Sequence, residues 1–138
     1  MVRKHFYLTG VLFVVFMLSM AASSFAEPSA EELRQTIRGY ISGQEHRQGA
    51  FLIVDERGNV TRRLELIRVH QRVGKTGDYY YSCTDMKDIV TGDELDLDFD
   101  ISDTGSSLNV VEVRIHKDNG NPRYTYDDND NMIPVTST

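Results

Sequence analysis

The chain has one cysteine, Cys83, and no tryptophan, and its only long apolar run, Phe6 to Met20, lies at the N-terminus. A single cysteine excludes an intramolecular disulfide, so the fold has to rely on its own core. The sequence also has no glycine-rich phosphate loop, no short spacing of metal-ligating residues and no nucleophile motif. These absences give no support to the common nucleotide-binding, zinc-binding and hydrolase classes.

Positive charge is scarce. The chain has 15 Lys and Arg against 21 Asp and Glu, a net charge of −6. Arg3 and Lys4 belong to the N-terminal segment, and the remaining 112 residues have a net charge of −8. Binding to nucleic acids or to anionic membranes needs clustered cations. The charge balance therefore argues against both as partners.

The first 26 residues have the layout of a secretory signal peptide. A basic start precedes the apolar run, and small residues lead to a cleavage point between Ala26 and Glu27. The alternative is an uncleaved anchor, but the apolar run is shorter than the roughly 20 residues of a spanning helix. We expect an exported chain, periplasmic or extracellular, with no stable membrane anchor after cleavage.

One amphipathic helix is predicted over residues 30–42. Ser29 can cap it and Glu32 completes a capping box, while Gly43 suits the position just past its end. A single apolar stripe follows helical spacing along its length. The stripe consists of Leu33, Ile37, Tyr40 and Ile41.

The rest of the chain predicts an antiparallel meander of about five strands, separated by turns rich in Gly, Asn and Asp. The expected strands are 51–54, 60–73, 79–85, 94–101 and 108–117, with a bulge in the long second one. Residues 123–126 can form a short sixth strand. We expect a single α+β domain over 27–126 with the helix on a curved sheet, and a flexible polar tail over 127–138.

This outline of a helix on a curled antiparallel sheet, over Ser29 to Tyr126, resembles the cystatin-like and NTF2-like families. The cystatin inhibitory pattern Gln-x-Val-x-Gly is missing. The segments 81–85 and 115–124 are also similar to small exported bacterial domains of unknown function. These resemblances imply a fold and a location, and they imply no activity.

The predicted fourth strand alternates apolar and acidic residues with a period of two. Its acidic face is predicted to be solvated and to pair with cations on neighbouring strands. That face consists of Glu94, Asp96, Asp98 and Asp100. Divalent-cation binding there is an alternative, although a straight strand cannot wrap around a hard cation.

Two histidines, His70 and His116, are predicted to lie in strands and could form a second kind of site. If the strands bring His70 and His116 near Asp98, an acid–base pair or a metal site can form, as in a small NTF2-like enzyme or ligand-pocket protein. Zinc would need a third ligand, which the spacing does not provide. Cys83 is open to three interpretations: a small buried residue, an intermolecular disulfide, or a nucleophile.

We therefore predict an exported, non-enzymatic binding domain without a cofactor, a metal or catalytic residues. Its partner is an unidentified protein or small molecule, and a homodimer stays open. The predicted binding surface is the polar strand faces, made of Arg68, His70, Arg72, Asp96, Asp98, Arg114 and His116.

Overall fold

The computed structural model describes residues 26–135. The predicted signal peptide lies outside these residues except for Ala26, and so does the last part of the predicted tail. Among the described residues, no helix is both long enough and apolar enough to cross a membrane.

Helix α1 runs from Ala30 to Gln48 and begins with the predicted capping box. The Glu32 N–H donates to the Ser29 hydroxyl at 3.2 Å, and the Ser29 N–H donates to the Glu32 carboxylate at 2.8 Å. The predicted end at Gly43 is wrong. The helix continues for six more residues after residue 42, and Gly49 ends it with φ 75°, a conformation that glycine adopts without steric cost.

The fold is α+β, with the helix packed on a curled antiparallel sheet. The sheet strands follow the chain as β1 (Phe51–Asp55), β2 (Val60–Val69), β3 (Gly74–Thr76), β4 (Tyr79–Asp88), β5 (Glu94–Asp103), β6 (Leu108–Asp118) and β7 (Asn121–Pro122). Their order is β1-β2-β4-β5-β6-β7, with β3 paired to β4. The predicted meander is confirmed. The second predicted strand ends at Val69 instead of residue 73, and Gly74–Thr76 pairs where a turn was predicted.

Three β-bulges bend the sheet. In β2, Ile67 is the extra residue between the pairs Leu66–Met86 and Arg68–Asp85. In β6, Val111 and His116 are the extra residues opposite β5. A bulge strengthens the right-handed twist of its strand. The curl makes the sheet a half-barrel that wraps around the helix.

The core lies between α1 and the concave face of the sheet. Leu33, Ile37 and Ile41 of the helix are buried there. The rings of Phe51 and Phe99 meet with centroids 5.8 Å apart. Tyr40 was predicted to belong to the apolar stripe, and its ring lies 6.2–6.3 Å from both phenylalanines while it remains partly exposed. Aliphatic side chains from β2, β4 and β5 complete the core.

A C-terminal hairpin covers part of the opposite, convex face. Strand β8 (Tyr124–Tyr126) pairs with β9 (Met132–Pro134), away from the main sheet. The predicted flexible tail is therefore wrong for residues 127–135. The Asp127 carboxylate accepts the N–H groups of Asn129 and Asn131 at 2.8 and 2.9 Å, which gives the connecting turn a defined structure.

An ion-pair cluster ties the first strand of the half-barrel to its far end. The Arg123 guanidinium donates two hydrogen bonds to the buried Asp55 carboxylate, at 2.8 and 2.9 Å. Arg62 contacts the same carboxylate at 3.4 Å and that of Asp118 at 3.6 Å. The hydrogen bonds from Arg123 lower the pKa of Asp55 to about 2, against the opposing effect of burial.

The contribution of this ion-pair cluster to the free energy of unfolding should depend on pH. The folded-state pKa of Asp55 lies below its unfolded value, so its stabilisation is present above about pH 4 and is lost as the pH falls toward 2. We expect Asp55→Asn to lower the free energy of unfolding by about 2 kcal/mol at neutral pH. Most of that difference should vanish near pH 2, as measured by urea denaturation at a series of pH values.

The matched control is Asp128→Asn, which neutralises an exposed carboxylate on the β8–β9 turn. The difference in free energy of unfolding between this variant and the unsubstituted chain should stay constant from neutral pH down to about pH 2. A difference between Asp55→Asn and the unsubstituted chain that is constant with pH would contradict the assignment.

Candidate functional site

The acidic face of β5 differs from the prediction at its centre. Asp98 is fully buried and Asp100 is nearly so, whereas Glu94 is exposed and Asp96 is half-buried. The predicted solvated face is therefore wrong for Asp98 and Asp100. The physical reason is the C-terminal hairpin, which lies over this part of the convex face and excludes water from it.

Asp98 is the centre of a polar cluster that three strands and the hairpin build together. Its Oδ2 atom accepts hydrogen bonds from the hydroxyls of Tyr124 and Tyr126, both at 2.7 Å. Its Oδ1 atom accepts the Cys83 thiol of β4 and lies 3.6 Å from Nδ1 of His116 on β6. One carboxylate oxygen therefore faces two phenols, and the other faces a thiol and an imidazole.

The bulge in β6 brings the histidine into this cluster. Because His116 is the extra residue opposite β5, both His116 and its neighbour Lys117 reach carboxylates of the convex face. The His116 ring stacks on Tyr124 with centroids 4.8 Å apart. His116 therefore lies close to Asp98, while His70 binds a different carboxylate, that of Asp85.

Burial and the nearby carboxylate change the acidity of the cluster. Burial raises the pKa of the Tyr124 hydroxyl, and the Asp98 charge raises it further. The same two causes raise the pKa of Tyr126 and of the Cys83 thiol. All three groups therefore keep their protons at neutral pH and act as donors to Asp98.

Cys83 is half-buried on the convex face and is not part of the apolar core. Its Sγ atom lies 3.9 Å from Nδ1 of His116, the same nitrogen that faces Asp98. A nucleophile triad needs the histidine to bridge thiol and carboxylate through its two different nitrogens. The shared nitrogen and the raised thiol pKa give the nucleophile interpretation no support.

The other acidic residues of β5 have cationic partners. Arg114 forms two hydrogen bonds with Asp100, at 2.6 and 2.8 Å, and also contacts Glu112 at 2.9 Å. Lys117 contacts Asp96 at 2.9 Å, and this hydrogen bond raises the lysine pKa. These cross-strand pairs agree with the predicted pairing of the acidic strand with β6. They leave the strand unsuited to a hard cation, which needs several free oxygens.

The predicted cations of the second strand do not reach β5, because β4 lies between the two strands. Arg68 and His70 both bind the Asp85 carboxylate of β4, the histidine at 2.6 Å. Arg72 binds Asp130 of the hairpin turn at 2.7 Å. Of the seven predicted surface residues, Asp98 lies beside His116 and opposite Arg114, whereas Arg68 and His70 share Asp85 and Arg72 binds Asp130.

A groove opens where the two ends of the half-barrel face each other. It has a volume of about 430 Å³ and lies between β1 and β6, beside the C-terminal hairpin. Among the described residues, β1 pairs only with β2, and the outer side of β6 is paired at its end alone: at Lys117 and Asp118 with β7, and at His116, whose carbonyl accepts the Arg123 N–H at 2.7 Å. The lining combines apolar and charged side chains. The apolar ones are Ile53, Val54, Val113, Ile115, Met132 and Pro134, and the charged ones are Glu56, Arg57, Glu112, Arg114 and Arg123.

Comparison of the chain with models of known protein families, with curated proteins and with solved structures gave no match. The site therefore has to be interpreted from its own geometry.

Sequence reasoning missed the tyrosines and the thiol as partners of Asp98. Cys83 and His116 are 33 residues apart and reach one point only through strand pairing. The register Cys83–Asp98 depends on the β4–β5 turn. The available signal was the Tyr-x-Tyr pattern at Tyr124 and Tyr126, which puts both phenols on the same side of a strand.

The contribution of a phenol hydrogen bond to stability can be measured by removing one hydroxyl. Tyr126→Phe removes one hydroxyl from a buried carboxylate and should lower the free energy of unfolding by about 1.5–3 kcal/mol. Urea denaturation at neutral pH gives the value.

Tyr79→Phe is the matched control, since Tyr79 is 45% exposed and its hydroxyl makes no hydrogen bond to the described residues. Its effect should stay within about 0.5 kcal/mol. Equal losses in the two variants would show that Tyr126 does not donate to Asp98 in solution.

Proposed function

We propose that the chain is an exported, non-enzymatic domain that binds an extended segment of a partner protein at the free edge of β1. The observation that carries the proposal is the groove between the free edge of β1 and the partly paired outer edge of β6. A strand edge presents unsatisfied N–H and C=O groups, which a second extended chain can pair with.

The composition of β1 supports this role. Natural proteins protect free edges with lysine, proline, bulges or inward charges. The central part of β1 is Leu52-Ile53-Val54, without charge or proline, and Val54 is 58% exposed. An apolar edge beside a groove lined by apolar and charged side chains provides main-chain hydrogen bonds for affinity and side-chain contacts for specificity.

The charged surface predicted from sequence is a weaker candidate. Asp98 and His116 lie under the hairpin, so a partner cannot reach them without displacing it. Arg68 and Arg72 are exposed, but each already has a carboxylate partner. Exposed ion pairs contribute only about 0–1 kcal/mol. Their exchange for a partner's charges would therefore add little affinity.

The ligand-pocket and enzyme alternatives meet a geometric objection. In a cystatin-like or NTF2-like arrangement, a ligand would lie between helix and sheet. Buried side chains such as Ile37, Phe51 and Phe99 occupy that space here. Asp98 and His116 face the other side of the sheet. We retain kinship with these families, through the helix on a curled meander, as part of the proposal.

Selection from a phage-displayed library of random heptapeptides tests strand addition at β1. The secreted chain is immobilised through its C-terminus, and enriched peptides should alternate apolar and polar residues. Val54→Lys places an ammonium group at the apolar edge, so it should weaken the selected peptides at least about tenfold, since the partner would have to desolvate that charge.

Val90→Lys is the control, since Val90 is 72% exposed on the β4–β5 turn and lies outside the groove. It should leave peptide affinity unchanged. The proposal is rejected if no peptide is enriched over the bare support, or if both lysine variants weaken binding equally. Mass spectrometry of the secreted chain tests export itself, because cleavage after Ala26 gives a chain that begins at Glu27.

A further inference from the structure

We propose that Cys83, Asp98 and His116 bind one zinc ion. The inference is independent of strand addition at β1, because it rests on the cluster under the C-terminal hairpin. Three ligand atoms of three chemical types converge there: Sγ of Cys83, Oδ1 of Asp98 and Nδ1 of His116, all within 4.8 Å of one another.

The spacing of the three atoms suits a small tetrahedral ion. Zinc–sulfur bonds of about 2.3 Å and zinc–nitrogen or zinc–oxygen bonds of about 2.0 Å put tetrahedral ligand atoms roughly 3.3–3.6 Å apart. The Sγ–Nδ1 and Nδ1–Oδ1 distances are 3.9 and 3.6 Å. Only the Sγ–Oδ1 pair, which now shares the thiol proton, has to separate, by about 1 Å.

The charge of Asp98 is the second observation. Buried carboxylates normally have a cationic partner or bind a metal. Among the described residues, no lysine or arginine forms an ion pair with Asp98: Arg114 stands opposite it on β6 but binds Asp100, and Lys117 binds Asp96. Within the part of the chain that the structure describes, His116 is the one basic side chain within 4 Å of the Asp98 carboxylate. A zinc ion with one thiolate and one carboxylate would make the buried site electrically neutral.

In this arrangement the two tyrosines do not bind the metal but hold one of its ligands, Asp98, by hydrogen bonds. Metal-binding carboxylates are commonly held in place by hydrogen bonds to their other oxygen. Tyr124 and Tyr126 both donate to Oδ2 of Asp98, which leaves Oδ1 directed at the thiol and the imidazole. The fourth ligand would be water, which can enter beside the half-buried Cys83.

The ligand types select the metal. Thiolate and imidazole favour zinc and its neighbours over calcium and magnesium, which take oxygen ligands. The thiol proton must leave when the metal binds. Several other charged or titratable groups surround the thiol, from every strand packed against it. These are Tyr81 and Asp85 on β4, Asp96 on β5, Lys117 on β6, and Tyr124 and Tyr126 on β8, which share Asp98 with the thiol.

Cobalt(II) is the spectroscopic probe for this site. Titration of the metal-free chain with cobalt chloride should give a thiolate-to-cobalt charge-transfer band and intense visible bands of a tetrahedral complex, saturating at one ion per chain. Zinc should displace the cobalt and raise the melting temperature, whereas calcium should do neither. Zinc binding should displace the thiol proton, so the apparent zinc affinity should rise with pH.

Cys83→Ser keeps the size and the hydrogen bond of residue 83, so it should fold, and it should lose the charge-transfer band and at least about 100-fold in zinc affinity. His70→Gln is the matched control, because it removes the other histidine that lies against an aspartate on this face. It should bind cobalt and zinc as the unsubstituted chain does. Failure of the unsubstituted chain to bind, or a thiolate band that survives Cys83→Ser, overturns the proposal.

Discussion

Three extra residues in two strands determine the geometry on which the rest of the structure depends. Ile67, Val111 and His116 each interrupt the pairing of their strand by one position. The added twist curls the sheet until β1 and β6 face each other, which creates the groove and allows Arg123 to reach Asp55. The same irregularity at His116 places an imidazole beside a buried carboxylate. A regular sheet of this length would have neither feature.

The convex face shows how a polar cluster can organise a chain terminus. The hairpin of β8 and β9 leaves its aliphatic side chains Met132 and Ile133 exposed, so their burial does not hold it in place. It is held instead by the phenol hydrogen bonds to Asp98, by ring stacking of Tyr126 on Tyr81, and by Asp130, which accepts from Tyr81 and Arg72. The two features therefore depend on each other. The hairpin shields the Asp98 carboxylate from water, and the hydrogen bonds to that carboxylate hold the hairpin in place.

Local signals in the sequence predicted the local structure well. The capping box at Ser29, the apolar face of β5 and the Asn119-Gly120 turn, with φ of 47° and 79°, all behave as their residue types require. The helix end was missed because residues 42–48 are polar and have no apolar periodicity, although they still form good helical turns. The hairpin was missed because short polar strands have no apolar periodicity either. Long-range contacts were the main limit: alternation predicted which side Asp98 faces, but nothing local indicates that the chain returns to cover it.

The environment of Cys83 also bears on how the chain withstands oxidation. Disulfide exchange proceeds through the thiolate. Because the pKa of the Cys83 thiol is raised, only a very small fraction of this cysteine is present as thiolate at neutral pH. Partial burial limits access by an oxidant as well. We therefore expect the cysteine to stay reduced for long periods in an oxidising compartment and to form mixed disulfides slowly. The low reactivity of this thiol therefore limits cross-linking between chains, a protection that other proteins obtain by pairing two cysteines in an intramolecular disulfide.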